Sequence, residues 1–289
     1  MDNSNILISW IIIGQDWSDD LIDALNKQLA NINGVELIII DDFSLNNSIE
    51  LLNNIEYKNK QIIKLEQQSG RCVARNRGIN IASGKYCLFT NSNTFPLGNF
   101  LQKYIDILSE SDLHGLAGVI NYDSEDTSFE QYLNNNKRGL KQYSSNDILP
   151  IGYVLFGNCA IQTNILKQVN GFSEKLNGYG GEEIELLYRI SQNHNLKIGK
   201  INAVVLRHYH PDFNVHCNRL IEFGETNFRR LPFTVQKHII PGILLKLSVM
   251  MPVSIMHYIS MYIKDNISGD NFLMMRIAMG LSILKGYKS

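Results

Sequence analysis

The feature that most restricts this chain is a pair of nearly continuous apolar runs, Ile6–Ile13 and Val35–Ile40, both rich in isoleucine. A half-buried strand alternates apolar and polar residues, whereas a run apolar at consecutive positions buries both faces. Burial on both faces demands helices above and below the sheet, and therefore parallel βαβ units. Further strands are expected at Gln61–Leu65 and Tyr86–Thr90, with helices at Asp19–Leu29, Ser48–Asn54 and Arg71–Ala82. Ser18 or Asp19 stands where the first helix needs a cap, and Ser69-Gly70 precedes the third. In open parallel sheets ligands collect at the carboxyl ends of strands. That rule points to the short polar loops Gly14–Asp16, Asp41–Ser44 and Asn91–Thr94.

From about Gly115 to His210 the pattern becomes mixed. A tight Gly178-Tyr179-Gly180-Gly181 loop leads into an expected helix Glu182–His194, and a strand Ala203–Leu206 runs into Arg207-His208-Tyr209-His210. The expected organisation is residues 1–115 and 116–230 as two halves of one α/β domain, then a helical tail over 231–289.

With 289 residues the chain buries a sizeable core without staples, and its net charge of −1 gives no basic excess for nucleic acid. The cysteines Cys72, Cys87, Cys159 and Cys217 form no CxxC pair and read as reduced thiols. Asp2 stands where a signal peptide is basic, and no A-x-A-like site follows the first apolar run. A cytoplasmic protein is expected. Seven of the eight methionines lie in 232–289, where six Lys and Arg oppose two Asp. The uncharged stretch Leu247–Ile263 is short for a bilayer span and is interrupted by Pro252. Two readings stay open: helices lying in a membrane interface, peripheral at the inner face of the plasma membrane, or a helical subdomain packed on the core.

Four constellations carry chemistry. Asp41-Asp42 ends a strand, so one carboxylate can face a crevice and accept from a ribose or base; a turn or helix cap is the alternative. Arg71, Arg75 and Arg77 follow Gly70 at a helix start, as a phosphate cradle or a solvated basic face. Glu182 and Glu183 sit at a helix N-terminus behind two glycines, where one can be a general base, or both can simply complement the helix dipole. His208 and His210 share one side if the strand continues, as a metal or diphosphate contact or as loop histidines.

In that order the residues resemble the family 2 glycosyltransferases of the GT-A fold. Leu37–Ser44 (LIIIDDFS) is similar to the family's nucleotide-binding "VVDDGS" strand end. Gly70–Tyr86 matches "ARNxGxxxAxGxY", and Gly178–Arg189 (GYGGEEIELLYR) is similar to the galactosyltransferase motif "GWGGEDxDLxxR". The resemblance implies a Rossmann-like mixed sheet flanked by helices, with a C-terminal helical tail. It also implies an inverting transfer from a nucleotide-diphosphate sugar to an acceptor hydroxyl, and the basic, apolar tail points to a glycan or lipid-linked acceptor. By it Glu183 is the catalytic base and Glu182 an acceptor contact. Asp41, Asp42, Arg71, Arg75, Asn91 and Asn93 bind the nucleotide sugar, and His208 with Asn93 holds a divalent metal, Mn²⁺ or Mg²⁺.

One departure concerns that metal. Where the family carries a DxD motif this chain has Asn91-Ser92-Asn93, and an amide carbonyl is a neutral, weaker ligand for a hard cation. Three readings follow: a metal held by His208 and the donor phosphates, neutralisation of the diphosphate by Arg71, Arg75 or His210 without metal, or a silent relative that binds a nucleotide sugar or a partner transferase. A sugar nucleotidyltransferase is set aside, because Gly14-Gln15-Asp16-Trp17 is acidic where that chemistry needs a basic glycine-rich loop.

Overall fold

The computed structural model describes residues 6–45, 47–145, 147–240, 251–266 and 271–289. Its centre is an eight-stranded sheet in the order β3-β2-β1-β4-β7-β6-β8-β5. The strands are β1 (Ile8–Gly14), β2 (Val35–Asp41), β3 (Lys60–Lys64), β4 (Tyr86–Asn91), β5 (Thr94–Leu97), β6 (Gly115–Tyr122), β7 (Cys159–Gln162) and β8 (Ile198–Arg207). The first four run parallel, β7 is antiparallel to β4 and β6, and β5 is antiparallel to β8 at the far edge. One sheet thus crosses the expected boundary at residue 115.

Alternation along each strand sends side chains to opposite layers. Trp10, Leu37 and Leu88 pack beneath α1 (Asp19–Leu29) and α3 (Phe100–Glu110). Their neighbours Ile11, Ile38 and Phe89 pack beneath α2 (Arg71–Ile81), α5 (Thr163–Gln168) and α6 (Glu182–Asn193). Each fully buried aliphatic side chain contributes about 1.5–3 kcal/mol, so both layers are needed to hold the central strands. α4 (Thr127–Asn134) leans on β6. Ser18 does cap α1, accepting from Leu21 N.

Two expectations need correction, and one strand was not anticipated. Asn47–Asn54 is a 3-10 segment, not an α-helix. The strand expected at Ala203–Leu206 is ten residues long, extended back to Ile198 by pairing with β6. The edge strand β5 escapes a sequence reading because it is four residues long and contains Pro96, tolerated only at such an edge.

The tail packs on the core. Helices α7 (Phe213–Glu225), α8 (Asn227–Arg230) and α9 (Phe233–Ile239) are followed by α10 (Val253–Asn266) and α11 (Phe272–Lys288). Phe223, Phe228, Leu231 and Val235 form a separate apolar cluster with Met256, Ile283 and Leu284. α7 and α11 meet backbone to backbone: a Cβ on Gly286 would collide with the Ile221 carbonyl oxygen, and one on Gly224 with that of Ile283. Residues 247–250 of the uncharged stretch, with Lys246 and Asp270, lie outside the described residues. No helix among the described residues is long and apolar enough to cross a membrane.

The glycine contact gives a test with opposite signs. Gly286→Ala is expected to cost about 1–3 kcal/mol by overpacking. Gly280→Ala, on the same helix with open space around it, is expected to gain up to about 1 kcal/mol. Urea unfolding midpoints of the two variants check the pair.

Candidate active site

The carboxyl ends of β1, β2 and β4 open onto one edge of the sheet, and the start of α6 closes it from the other side. There the chain turns through Gly180 (φ 75°) and Gly181 (φ 86°), a left-handed path that glycine takes without strain. A Cβ on Gly181 would stand 2.8 Å from Phe223, so the close approach of α7 adds a second reason for glycine. The turn delivers Glu182 and Glu183 as the first residues of α6.

Both carboxylates are pulled inward by arginines from α2. Arg75, 1% exposed, reaches Glu183 Oε1 at 3.0 Å and Glu182 Oε1 at 3.5 Å, and Arg71 Nη2 reaches Glu182 Oε1 at 3.0 Å. The i, i+4 spacing on one helix face makes this double clamp possible. The Arg75 guanidinium lies over the rings of Phe172 and Phe156, at 5.1 and 5.7 Å. Burial pushes the Glu183 carboxyl above the ordinary carboxylate range; Arg75 opposes the shift and the neighbouring Glu182 charge adds to it.

The arginine finding changes an expectation. Arg75 is the buried counterion of the acid pair, not an open phosphate cradle. Arg71 is the more accessible of the two and also stacks near Tyr179.

The adjacent aspartates divide their work. Asp41 is fully buried, accepts from Trp17 Nε1 at 2.7 Å and from Ser44 N at 3.0 Å, and is bonded by the Ser44 hydroxyl. Those bonds fasten the end of β2, and Asp41 lines neither of the two cavities described below. Asp42 accepts from Ser69 N at 2.7 Å and Gly70 N at 2.9 Å, fixing the start of α2. It lines a cleft of about 400 Å³ with Gln15, Gly70, Arg71 and Tyr179.

That cleft joins a larger cavity of about 790 Å³ holding Glu182, Glu183, Asn91 and Asn93. Its lining is basic: Arg138 and Arg207 contribute, with His210 and His216, and Arg219 lines both this cavity and the cleft. The histidine pair behaves differently from a strand pair. β8 ends at Arg207, and Tyr209 adopts a left-handed φ of 54°, so alternation fails. His208 packs edge-on against Phe95, and its Nδ1 lies 2.9 Å from Asp123 Oδ2, while His210 faces the cavity. Burial, then the Arg207 charge, lowers His210 to about 2; burial, then Arg138, lowers His216 to about 3. His208 does stand beside Asn93, donating its backbone N–H to the Asn93 carbonyl at 3.1 Å.

Arg138, His216 and Arg219 are site residues that sequence reasoning missed. The i, i+3 spacing of His216 and Arg219 on α7 is legible, but the same spacing marks many solvated helix faces. Arg138 lies in a loop with no local signal.

Removing Arg75 leaves Glu183 without a cation and Glu182 with the half-exposed Arg71 alone. Arg75→Met is expected to cost about 3–5 kcal/mol of stability. Arg71→Gln, at a side chain 42% exposed, is expected to cost less than about 1 kcal/mol. Denaturant titration separates them, and equal costs would contradict the assignment of Arg75 as the principal counterion.

Comparison with known proteins bears on family and fold. Residues 16–169 match the model of glycosyl transferase family 2, and residues 149–211 match that of the N-terminal domain of galactosyltransferase. An uncharacterized glycosyltransferase of Haemophilus influenzae is 36% identical over 96 residues, 32% of this chain and 37% of that protein. Glycosyltransferase GlyG of Streptococcus pneumoniae is 28% identical over 102 residues, 34% of each chain. The chain thus spans about a third of the length of these curated relatives. Among solved structures, Staphylococcus aureus TarS 1-349 in complex with UDP superposes with a TM-score of 0.59 at 16% identity, covering 98% of this chain and 91% of that one. GalNAc-T7 with UDP, GalNAc and Mn²⁺ gives 0.56 at 13% identity, covering 82% and 54%. The fold is GT-A, and the chain belongs to glycosyl transferase family 2.

Proposed function

We propose that the chain is an inverting transferase that moves a sugar from a nucleotide-diphosphate donor to a hydroxyl of a glycan or lipid-linked acceptor. One observation carries this reading. Among the described residues, every buried side-chain nitrogen or oxygen without a hydrogen-bond partner belongs to a residue of the large cavity: Arg75, Asn91, Glu182, Arg207, His210 and His216. Native proteins leave few such atoms unpaired, so a cavity that gathers them is built for a polar ligand.

In this reading the nucleotide occupies the cleft at Asp42, Gly70 and Arg71, and its diphosphate extends past Asn91 and Asn93. Glu183 accepts the proton of the acceptor hydroxyl as that oxygen attacks the anomeric carbon. The new carbon–oxygen bond forms opposite the bond to phosphate, whose electron pair leaves with the nucleoside diphosphate. Burial makes Glu183 a stronger base, Arg75 fixes its orientation, and Glu182 contacts the acceptor.

The donor set does not suit Mn²⁺ or Mg²⁺. Such ions favour anionic oxygens, while Asn91 and Asn93 are neutral and Asp123 engages the Nδ1 of His208. Arg207, paired in register with Thr94, brings a cation to the same wall. Among the described residues no three His, Cys, Asp or Glu side chains gather as a ligand group. We assign the neutralisation of the departing diphosphate to Arg207, Arg71 and Arg219, since a fixed cation serves that purpose as a metal does. A cytoplasmic, peripheral position is supported by the tail's basic excess and by exposed Ile255, Tyr258, Tyr262 and Leu273.

Calorimetry and hydrolysis assays with UDP-, GDP- and dTDP-sugars test the proposal. Glu183→Gln is expected to lower turnover by about 10²–10⁴-fold while donor affinity changes little. The base must be ionised, so activity is expected to fall as pH drops through the Glu183 pKa, with an acid limb above the ordinary carboxylate range. Turnover indifferent to Glu183→Gln contradicts the role of that residue. Binding without turnover for every donor and acceptor tried assigns the silent role instead.

A further inference from the structure

Beyond Tyr122 and Arg138 the large cavity continues into a recess of about 200 Å³. Its walls come from the end of β6, from α4 and the 3-10 turn Gly139–Gln142, and from α11, which contributes Phe272 and Arg276. Three cations line it, Arg138, Lys141 and Arg276, and no carboxylate does. Among the described residues none of the three takes part in an ion pair. Arg138 is held in place by its Nη1 donation to the Leu133 carbonyl at 3.3 Å, and lies over the rings of Tyr122 and Tyr132 at 5.3 and 5.5 Å. Lys141 donates to Asn134 Oδ1 at 3.1 Å.

Cations drawn together without an acid repel one another, and the gathering becomes favourable when an anion enters. A guanidinium braced between aromatic rings is preorganised for phosphate or carboxylate. The recess shares Ile120, Tyr122, Arg138 and Leu155 with the large cavity, whereas the cleft of Asp42 shares a different set, including Gln15, Arg71 and Tyr179. Nucleotide and recess therefore adjoin the carboxylate pair through different walls. We propose that the recess binds an anionic group, phosphate or carboxylate, carried by the acceptor chain, so that the acceptor is an anionic glycan. This deepens the transferase reading and rests on it. In support, burial and then the Arg138 charge lower the Lys141 ammonium to about 8, which is the mark of a cation lacking an anion.

The test is calorimetry at low salt with a short glycerol-phosphate oligomer, tetragalacturonate and neutral maltotetraose, alongside UDP. Wild-type protein is expected to bind at least one anionic oligomer ten times more tightly than maltotetraose; the tighter of the two identifies phosphate or carboxylate. The double variant Lys141→Met/Arg276→Gln is expected to lose that preference tenfold, with UDP affinity within twofold of wild type. Lys27→Gln/Arg77→Gln removes the same charge at exposed positions outside the recess and is expected to leave the preference intact. Equal binding of anionic and neutral oligomers overturns the proposal, as does an equal loss in both double variants. Anion preference without UDP binding keeps the recess and removes the transferase reading, whereas UDP binding without anion preference does the reverse.

Discussion

The site depends on one buried charge. Arg75 rises from α2 between Phe156 and Phe172 and meets Glu182 and Glu183 at the start of α6. Two like carboxylates at adjacent positions repel, and burial raises the cost of ionising either. A guanidinium with two forks answers both, which a lysine ammonium does not do with the same geometry. The clamp also joins the first half of the sheet, through α2, to the second half, through α6. The same contact therefore keeps the halves in register and holds a carboxylate aimed into the cavity.

Much of the fold was legible because the central strands are buried on both faces, so β1, β2 and β4 announce themselves as nearly continuous apolar runs. The acid pair behind Gly180-Gly181 was legible for a related reason, since flexible residues before two acids and an amphipathic helix admit few structures. Other features were not readable. Asp41 and Asp42 are chemically identical, and only the partners Trp17, Ser44, Ser69 and Gly70, brought by the fold, turn one inward and leave the other at the cleft. His208 and His210 misled because alternation was extended past the end of β8, where a left-handed Tyr209 breaks it. The basic wall was hidden for a third reason: Arg138, Arg207 and Arg219 come from a loop, a strand end and a helix that tertiary packing alone assembles. The close approach of α7 and α11 at Gly224 and Gly286 was hidden too, since no periodicity reports it.

Asn91 and Asn93 gain meaning from their surroundings. Beside Arg207 and two histidines held neutral by burial, the polarity of that wall runs toward cation and neutral donor instead of carboxylate. An anion entering the cavity meets fixed positive charge where a metal-using site would present negative charge and recruit an ion.

The measurement that bears most directly on this arrangement is a titration of UDP into metal-stripped protein, with and without Mn²⁺. It compares wild type with the double variant Asn91→Asp/Asn93→Asp. The expected result is wild-type affinity indifferent to Mn²⁺, and a variant in which the introduced carboxylates repel UDP until Mn²⁺ is added. Wild-type protein that binds UDP only when Mn²⁺ is present would contradict the assignment of the diphosphate to the basic wall.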